Sequence, residues 1–131
     1  VSGLNEEAGG ALAKEINGGG GDALYLKLDV ASEKAWAAAM VTIDAAFGRL
    51  DILVNNAGIT MSGKIENTKL EDWRRIMEVN VDSVFLGTKH AIPLMRKGGG
   101  GSIVNLTSVL GITGTPMISP RRMSTMLGGT I

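Results

Sequence analysis

At 131 residues the chain is long enough to bury one core and too short for two domains. Thirteen basic residues balance thirteen acidic ones, with 44% hydrophobic and 20% charged residues, the profile of a soluble globular protein without a basic surplus for nucleic acid or an anionic membrane. The lack of cysteine and the single histidine, His90, exclude disulfides, thiolate sites and clustered imidazole ligands for a metal.

Helical and strand-like segments then alternate, which predicts an α/β domain with a parallel sheet. Asn5 is placed to cap a helix in which Ala8, Leu12 and Ile16 recur every fourth residue, and Gly18 ends it. "ALYLKLDV" (23–30) alternates apolar and polar residues as a strand does. Ser32 caps a second helix with Trp36, Met40, Ile43 and Phe47 on one stripe and Gly48 at its end. "DILV" (51–54) is a short apolar run of buried-strand type.

Thr68 and Glu71 have the spacing of a capping box that opens a long helix. Its buried face is predicted to carry Leu70, Trp73, Met77, Asn80, Val81, Val84, Phe85 and Thr88, with Pro93 bending or loosening the last turns. "SIVNL" (102–106) is the third strand predicted, and beyond Gly111 the periodicity fades around Pro116 and Pro120. Two glycine runs, 18–21 and 98–101, read as loops without the spacing of a phosphate-binding turn. His90 reads as a surface or packing residue. The opening "VSGLNEEAGG" lacks the basic and apolar segments of a secretory signal, and no window approaches about 18 unbroken apolar residues, so a cytoplasmic location is expected.

Four polar features fall at strand ends or on an apolar helix face, and each has two readings when taken singly. Asp29 beside Val30 can cap the next helix or meet a ligand. "NNAG" (55–58) can be a plain turn or a close backbone approach to a ligand. Asn80 on an apolar helix face needs a partner, structural or functional. Ser108, following "IVNLT", can be structural or can address a substrate.

Together, in this order and spacing, "LDV", "GRLDILVNNAGIT", "MEVNVDSVFLGTKHAIPLMRK" and "GSIVNLTS" resemble the short-chain dehydrogenase/reductase family over about residues 1–116. "NEEAG" and "VFLGT…MRK" lean towards its branch that oxidises cyclic alcohols and hydroxysteroids. The resemblance implies a Rossmann-like doubly wound parallel sheet, an NAD or NADP cofactor with a slight lean to NAD, an alcohol or ketone substrate, and a homo-oligomer, dimer or tetramer. It implies that Asp29 accepts from the adenine amino group with Val30 against the ring, that Asn56, Ala57 and Gly58 border the adenosine ribose, and that Asn55 locks the central strands. Ser108 would bind the substrate oxygen and Asn80 would position a water for proton relay, all converging on one crevice.

The chain departs from the family pattern in two places. A tyrosine is expected thirteen residues after the serine and a lysine four further on, because a phenol near pKa 10 exchanges protons at neutral pH only when neighbouring positive charge stabilises its anion. Arg121 and Thr125 stand there; arginine stays protonated and threonine carries no charge. The sole tyrosine, Tyr25, has no lysine four residues on. The first strand, glycine-rich turn and helix of the family fold, and its C-terminal strands, are also missing from these 131 residues. Gly3, aligned with the ribose-reading position, has no basic neighbour. Two empty strand places are expected between the strand ending at Asp29 and the one ending at Val54, a double gap that would leave buried backbone unpaired. A catalytically inactive relative or fragment is the alternative reading.

Overall fold

The strands that form are short, and every pairing among them is parallel. The computed structural model describes residues 1–60 and 63–108. In chain order the elements are β1 (Ser2–Gly3), α1 (Glu6–Gly18), β2 (Leu26–Lys27), α2 (Glu33–Phe47) and β3 (Ile52–Asn55). A 3-10 turn (Ile65–Asn67), α3 (Leu70–Met77), a π-helical turn (Glu78–Asp82), α4 (Ser83–Lys97) and β4 (Ser102–Asn105) follow.

Strand β1 pairs with β2 and β3 with β4, giving two separate two-stranded sheets. The strand predicted over 23–30 shrinks to two residues because only Val1 to Gly3 lie alongside it, with Leu26 N–H donating to the Val1 carbonyl at 2.9 Å and Leu28 N–H to that of Gly3 at 3.1 Å. The double gap is not found, since Ser2–Gly3 fills one of the two places expected to be empty. The second pair runs in register from Ile52 opposite Ser102 to Asn55 opposite Asn105.

Local capping chemistry explains where the helices begin. Asn5 Oδ1 accepts from Ala8 N–H at 3.0 Å, and Ser32 Oγ accepts from Ala35 N–H at 3.3 Å. Gly48 ends α2 at a φ of 71°, a left-handed conformation that other residues adopt only at a cost. The predicted capping box does not form. The Thr68 hydroxyl instead donates back to the Lys64 carbonyl at 3.2 Å, closing the 3-10 turn, and Lys69 takes the cap position without a side-chain bond.

The buried stripe of the α3–α4 rod also differs from prediction. Ile76, Val79, Ser83, Gly87, Ala91, Leu94 and Met95 are buried, whereas Leu70 and Phe85 are exposed. Small residues make the difference: an added Cβ at Gly87 would lie 2.7 Å from Asn55 Oδ1 and 3.0 Å from the Trp36 ring. A search for large apolar side chains passes over such a face, because close helix approach selects against them. Pro93 lies on an exposed part of α4, which continues to Lys97.

Trp36 packs with Leu28 and Ala39 at the centre of the core, and its indole N–H donates to the Val30 carbonyl at 2.9 Å. Helices α2 and α4 lie side by side in the same direction. Lys89 Nζ and His90 Nε2 meet Glu33 Oε1 at 2.6 and 3.3 Å near one end, and Lys97 Nζ meets Asp44 Oδ1 at 2.5 Å near the other. His90 therefore has a cross-helix contact. The buried-strand reading of 51–54 holds for one face alone: Leu53 and Asn55 turn inward, while Ile52 and Val54 are 61% and 52% exposed.

Candidate functional site

A hollow of about 560 Å³ separates the two strand pairs, at the strand place that stays empty between Ser2–Gly3 and Ile52–Asn55, with core residues such as Leu28, Trp36 and Leu53 in its lining. Ser2 and Gly3 of β1 and Leu53 and Val54 of β3 form opposite walls, and Trp36 and Met40 of α2 contribute to its lining. The carboxyl ends of the strands bring Asp29, Val30, Asn56, Ala57 and Gly58 to the same cavity, the position where open α/β sheets take their ligands.

Asp29 lies two residues past β2 and precedes the turn into α2. Its Oδ1 accepts from Ala31 N–H at 3.0 Å and its carbonyl accepts from Ser32 N–H at 3.0 Å, so it shapes the strand-to-helix turn. A carboxylate has about four acceptor positions. Ser32 caps α2, so the helix-cap reading of Asp29 is replaced by a turn contact two residues on, and that contact leaves acceptor positions for a ligand. Trp36, bonded to the Val30 carbonyl, steadies the same turn from below. The sequence carried a signal for that contact, since a tryptophan N–H on an apolar stripe requires an acceptor.

Asn55 Nδ2 donates to Asn105 Oδ1 at 2.8 Å, joining β3 and β4 through side chains as well as backbone. The loop that follows is held from the side. Asn80 Oδ1 accepts from Ile59 N–H at 2.8 Å while its Nδ2 donates to the Ile59 carbonyl at 2.9 Å, a two-point clamp on the backbone one residue past Gly58. Asn80 belongs to the π-helical turn, an insertion that re-aims side chains and recurs at functional sites. Nothing in the sequence announced that turn.

Ile59 lines the cavity, so Asn80 is tied to its rim, but neither Asn80 nor Ser108 is among the lining residues. Ser108 is half-buried just beyond β4. Five of the seven predicted site residues thus share one hollow, with Asn80 attached to its edge and Ser108 apart from its lining. Arg121 and Thr125 lie outside the described residues. Tyr25 has a structural engagement: its hydroxyl donates to the Gly3 carbonyl at 2.7 Å and its ring lies against Gly9. Sequence reading missed Leu4, Asn5 and Arg75, which also line the cavity. Among the described residues no group of three or more His, Asp or Glu side chains could hold a metal, and no helix is long and apolar enough to cross a membrane.

Comparison with known proteins bears on this arrangement. The family model for short chain dehydrogenases matches residues 1–120. The chain belongs to the short-chain dehydrogenase family. It is 48% identical over 116 residues to a cyclopentanol dehydrogenase from Comamonas, covering 88% of this chain and 46% of that protein. It is 44% identical over 110 residues to a 3-alpha-(or 20-beta)-hydroxysteroid dehydrogenase from Mycobacterium bovis, covering 84% and 41%. A crystal structure of a gluconate 5-dehydrogenase from Burkholderia cenocepacia, in complex with NADP and tartrate, superposes with a TM-score of 0.88 at 32% identity, over 97% of this chain and 50% of that one. This short-chain dehydrogenase chain therefore spans about half the length of the relatives it matches, and its parallel strands and helices form part of the family's Rossmann-type fold.

Proposed function

We propose that the protein is an NAD(P)-dependent oxidoreductase of the short-chain dehydrogenase type, acting between a secondary alcohol and its ketone, with residues 1–131 forming one partial dinucleotide-binding domain. The observation that supports this most directly is the gathering of Asp29, Val30, Asn56, Ala57 and Gly58 on one cavity in a chain of this family. The chemistry of the lining suits an adenosine: a carboxylate to accept from an amino group, an apolar neighbour for the ring, and small residues for close approach of a ribose. When bound, a nicotinamide coenzyme supplies hydride transfer to or from the substrate carbon.

In this reading Asp29 accepts from the adenine amino group, Val30 packs against the ring, and Asn56, Ala57 and Gly58 border the ribose. Ser108 donates to the substrate oxygen. The expected part of Asn80 in placing a proton-relay water is reached through its backbone clamp, since both ends of its amide bond Ile59 and hold the 55–59 loop. The names of the Comamonas and Mycobacterium relatives favour a cyclic secondary alcohol as substrate. Gly3, with no basic residue beside it, tilts the coenzyme towards NAD. The cytoplasm and a dimer or tetramer complete the proposal.

A non-catalytic nucleotide-binding relative is the second reading, favoured by Arg121 and Thr125 at the positions of the proton-transfer pair. Both readings are tested by following nicotinamide absorbance with cyclopentanol while coenzyme binding is followed by tryptophan fluorescence. We expect NAD(H) to bind and the chain with Arg121 and Thr125 to give no turnover above background. Turnover that appears when Arg121→Tyr and Thr125→Lys are combined supports the oxidoreductase reading, and its continued absence supports the non-catalytic one. Sustained turnover by the unaltered chain would refute the need for the tyrosine and lysine, and absence of nucleotide binding would remove the nucleotide site itself.

A further inference from the structure

We propose that Trp36 is a positioning residue for adenine recognition, its indole holding the Asp29–Val30 turn in place relative to the 55–58 loop. The inference rests on the nucleotide reading above and gives a core side chain a part in ligand selection. The segments assigned to adenine and ribose stand on different strand pairs, Asp29 and Val30 beyond β2 and Asn56 to Gly58 beyond β3. Among the described residues no strand pairing joins one pair to the other. Their separation is therefore set through the packed helices, of which α2 and α4 lie side by side. A ligand with its base at one segment and its sugar at the other reads that separation, because a hydrogen bond is lost when its partner moves by about 1 Å.

Trp36 sits where these helices meet. It lies in the first turn of α2, is buried, and packs with Leu28 and Ala39. Its indole N–H reaches back six residues to the Val30 carbonyl at 2.9 Å. The far edge of the ring faces Gly87 of α4, where an added Cβ would lie 3.0 Å from the ring and 2.7 Å from Asn55 Oδ1. One side chain thus bonds the turn on the first strand pair and, at Gly87, packs beside the residue that opens the loop on the second. Other bonds of the turn are local: Ala31 N–H donates to Asp29 Oδ1 and Ser32 N–H to the Asp29 carbonyl. Those bonds give the turn its shape, whereas the Trp36 bond ties it to the core. A buried indole N–H that lost its acceptor would carry a desolvation cost, so a packed core keeps this contact made.

The test titrates adenosine and inosine calorimetrically into the 131-residue chain, with circular dichroism and urea midpoints to follow folding. Inosine has the same ribose but an oxygen in place of the adenine amino group, so it has no amino donor for the Asp29 carboxylate. The unaltered chain binds adenosine more tightly than inosine. Trp36→Phe keeps a ring in the core and removes the N–H; it weakens adenosine about tenfold and leaves inosine nearly unchanged, the size expected for one hydrogen bond. A purely structural part for Trp36 lowers the urea midpoint and leaves the adenosine preference of the folded protein intact, and that result overturns the inference. If Trp36→Phe does not fold, the Trp36 indole N–H resonance of the unaltered chain decides, with Trp73 as the reference. A larger shift with adenosine than with inosine supports the assignment, and equal shifts overturn it. Equal binding of the two nucleosides by the unaltered chain, or binding of neither, removes the adenine reading and this inference with it. A preference that survives in folded Trp36→Phe removes the inference alone.

Discussion

Asn80 and Gly87 show how single residues set the geometry of the loop and the core. The amide of Asn80 satisfies both backbone groups of Ile59, so Asn80→Ala leaves two polar groups without their partner. A loss of about 2 kcal/mol in urea unfolding is expected, from about 1 kcal/mol per hydrogen bond, with faster amide exchange at Ile59. Asn80→Asp keeps the acceptor but faces the Ile59 carbonyl with a second oxygen in place of the donor, so it should lose at least as much as Asn80→Ala. Gly87 lies where the Trp36 ring and the Asn55 amide meet α4. Alanine there gains about 1 kcal/mol of helix propensity, but inserting a carbon into that contact costs about 1–3 kcal/mol. Gly87→Ala should therefore be less stable, with an altered Trp36 fluorescence maximum; a more stable variant would show that the contact is loose.

At the scale of elements, α2 and α4 are joined by contacts that respond to pH. Lys89, through a hydrogen bond and its charge, and then His90 hold the Glu33 carboxyl below the usual carboxylate range. A depressed folded-state value means that this contribution is complete above the unfolded value of 4.5 and is lost as pH falls through the lower folded value. Glu33→Gln should accordingly flatten the acid limb of the stability profile below that point, in urea midpoints measured from pH 3 to 7. The exposure of the pair keeps the effect small and sensitive to salt. Element positions were largely legible in the sequence, because Asn5, Ser32 and Gly48 state their capping chemistry locally. The start of α3 was not, since Thr68 had a competing acceptor in Lys64 that spacing alone does not reveal.

Across the whole molecule, the β3–β4 sheet presents an apolar face made of Ile52, Val54, Val104 and Leu106, all between 45% and 61% exposed. Parallel sheets are ordinarily covered on both faces. The 131-residue chain should therefore bind an apolar fluorescent dye and self-associate as concentration rises, and Val104→Lys should reduce both while the unfolding midpoint changes little. Unchanged dye binding in that variant would place the exposed surface elsewhere. Leu4 and Leu12, 61% and 45% exposed, are the alternatives on the first βα unit.

The caps at Asn5, Ser32 and Gly48 and the order of Asp29, Asn55 to Gly58, Asn80 and Ser108 were fixed by local chemistry and by spacing, both of which a linear chain carries openly. Which helix face is buried, which amide clamps which loop, and which cation borders the cavity depended on contacts between residues far apart in sequence. Asn80 meets Ile59 across 21 positions and Asn55 meets Asn105 across 50, and only the packed structure sets those distances.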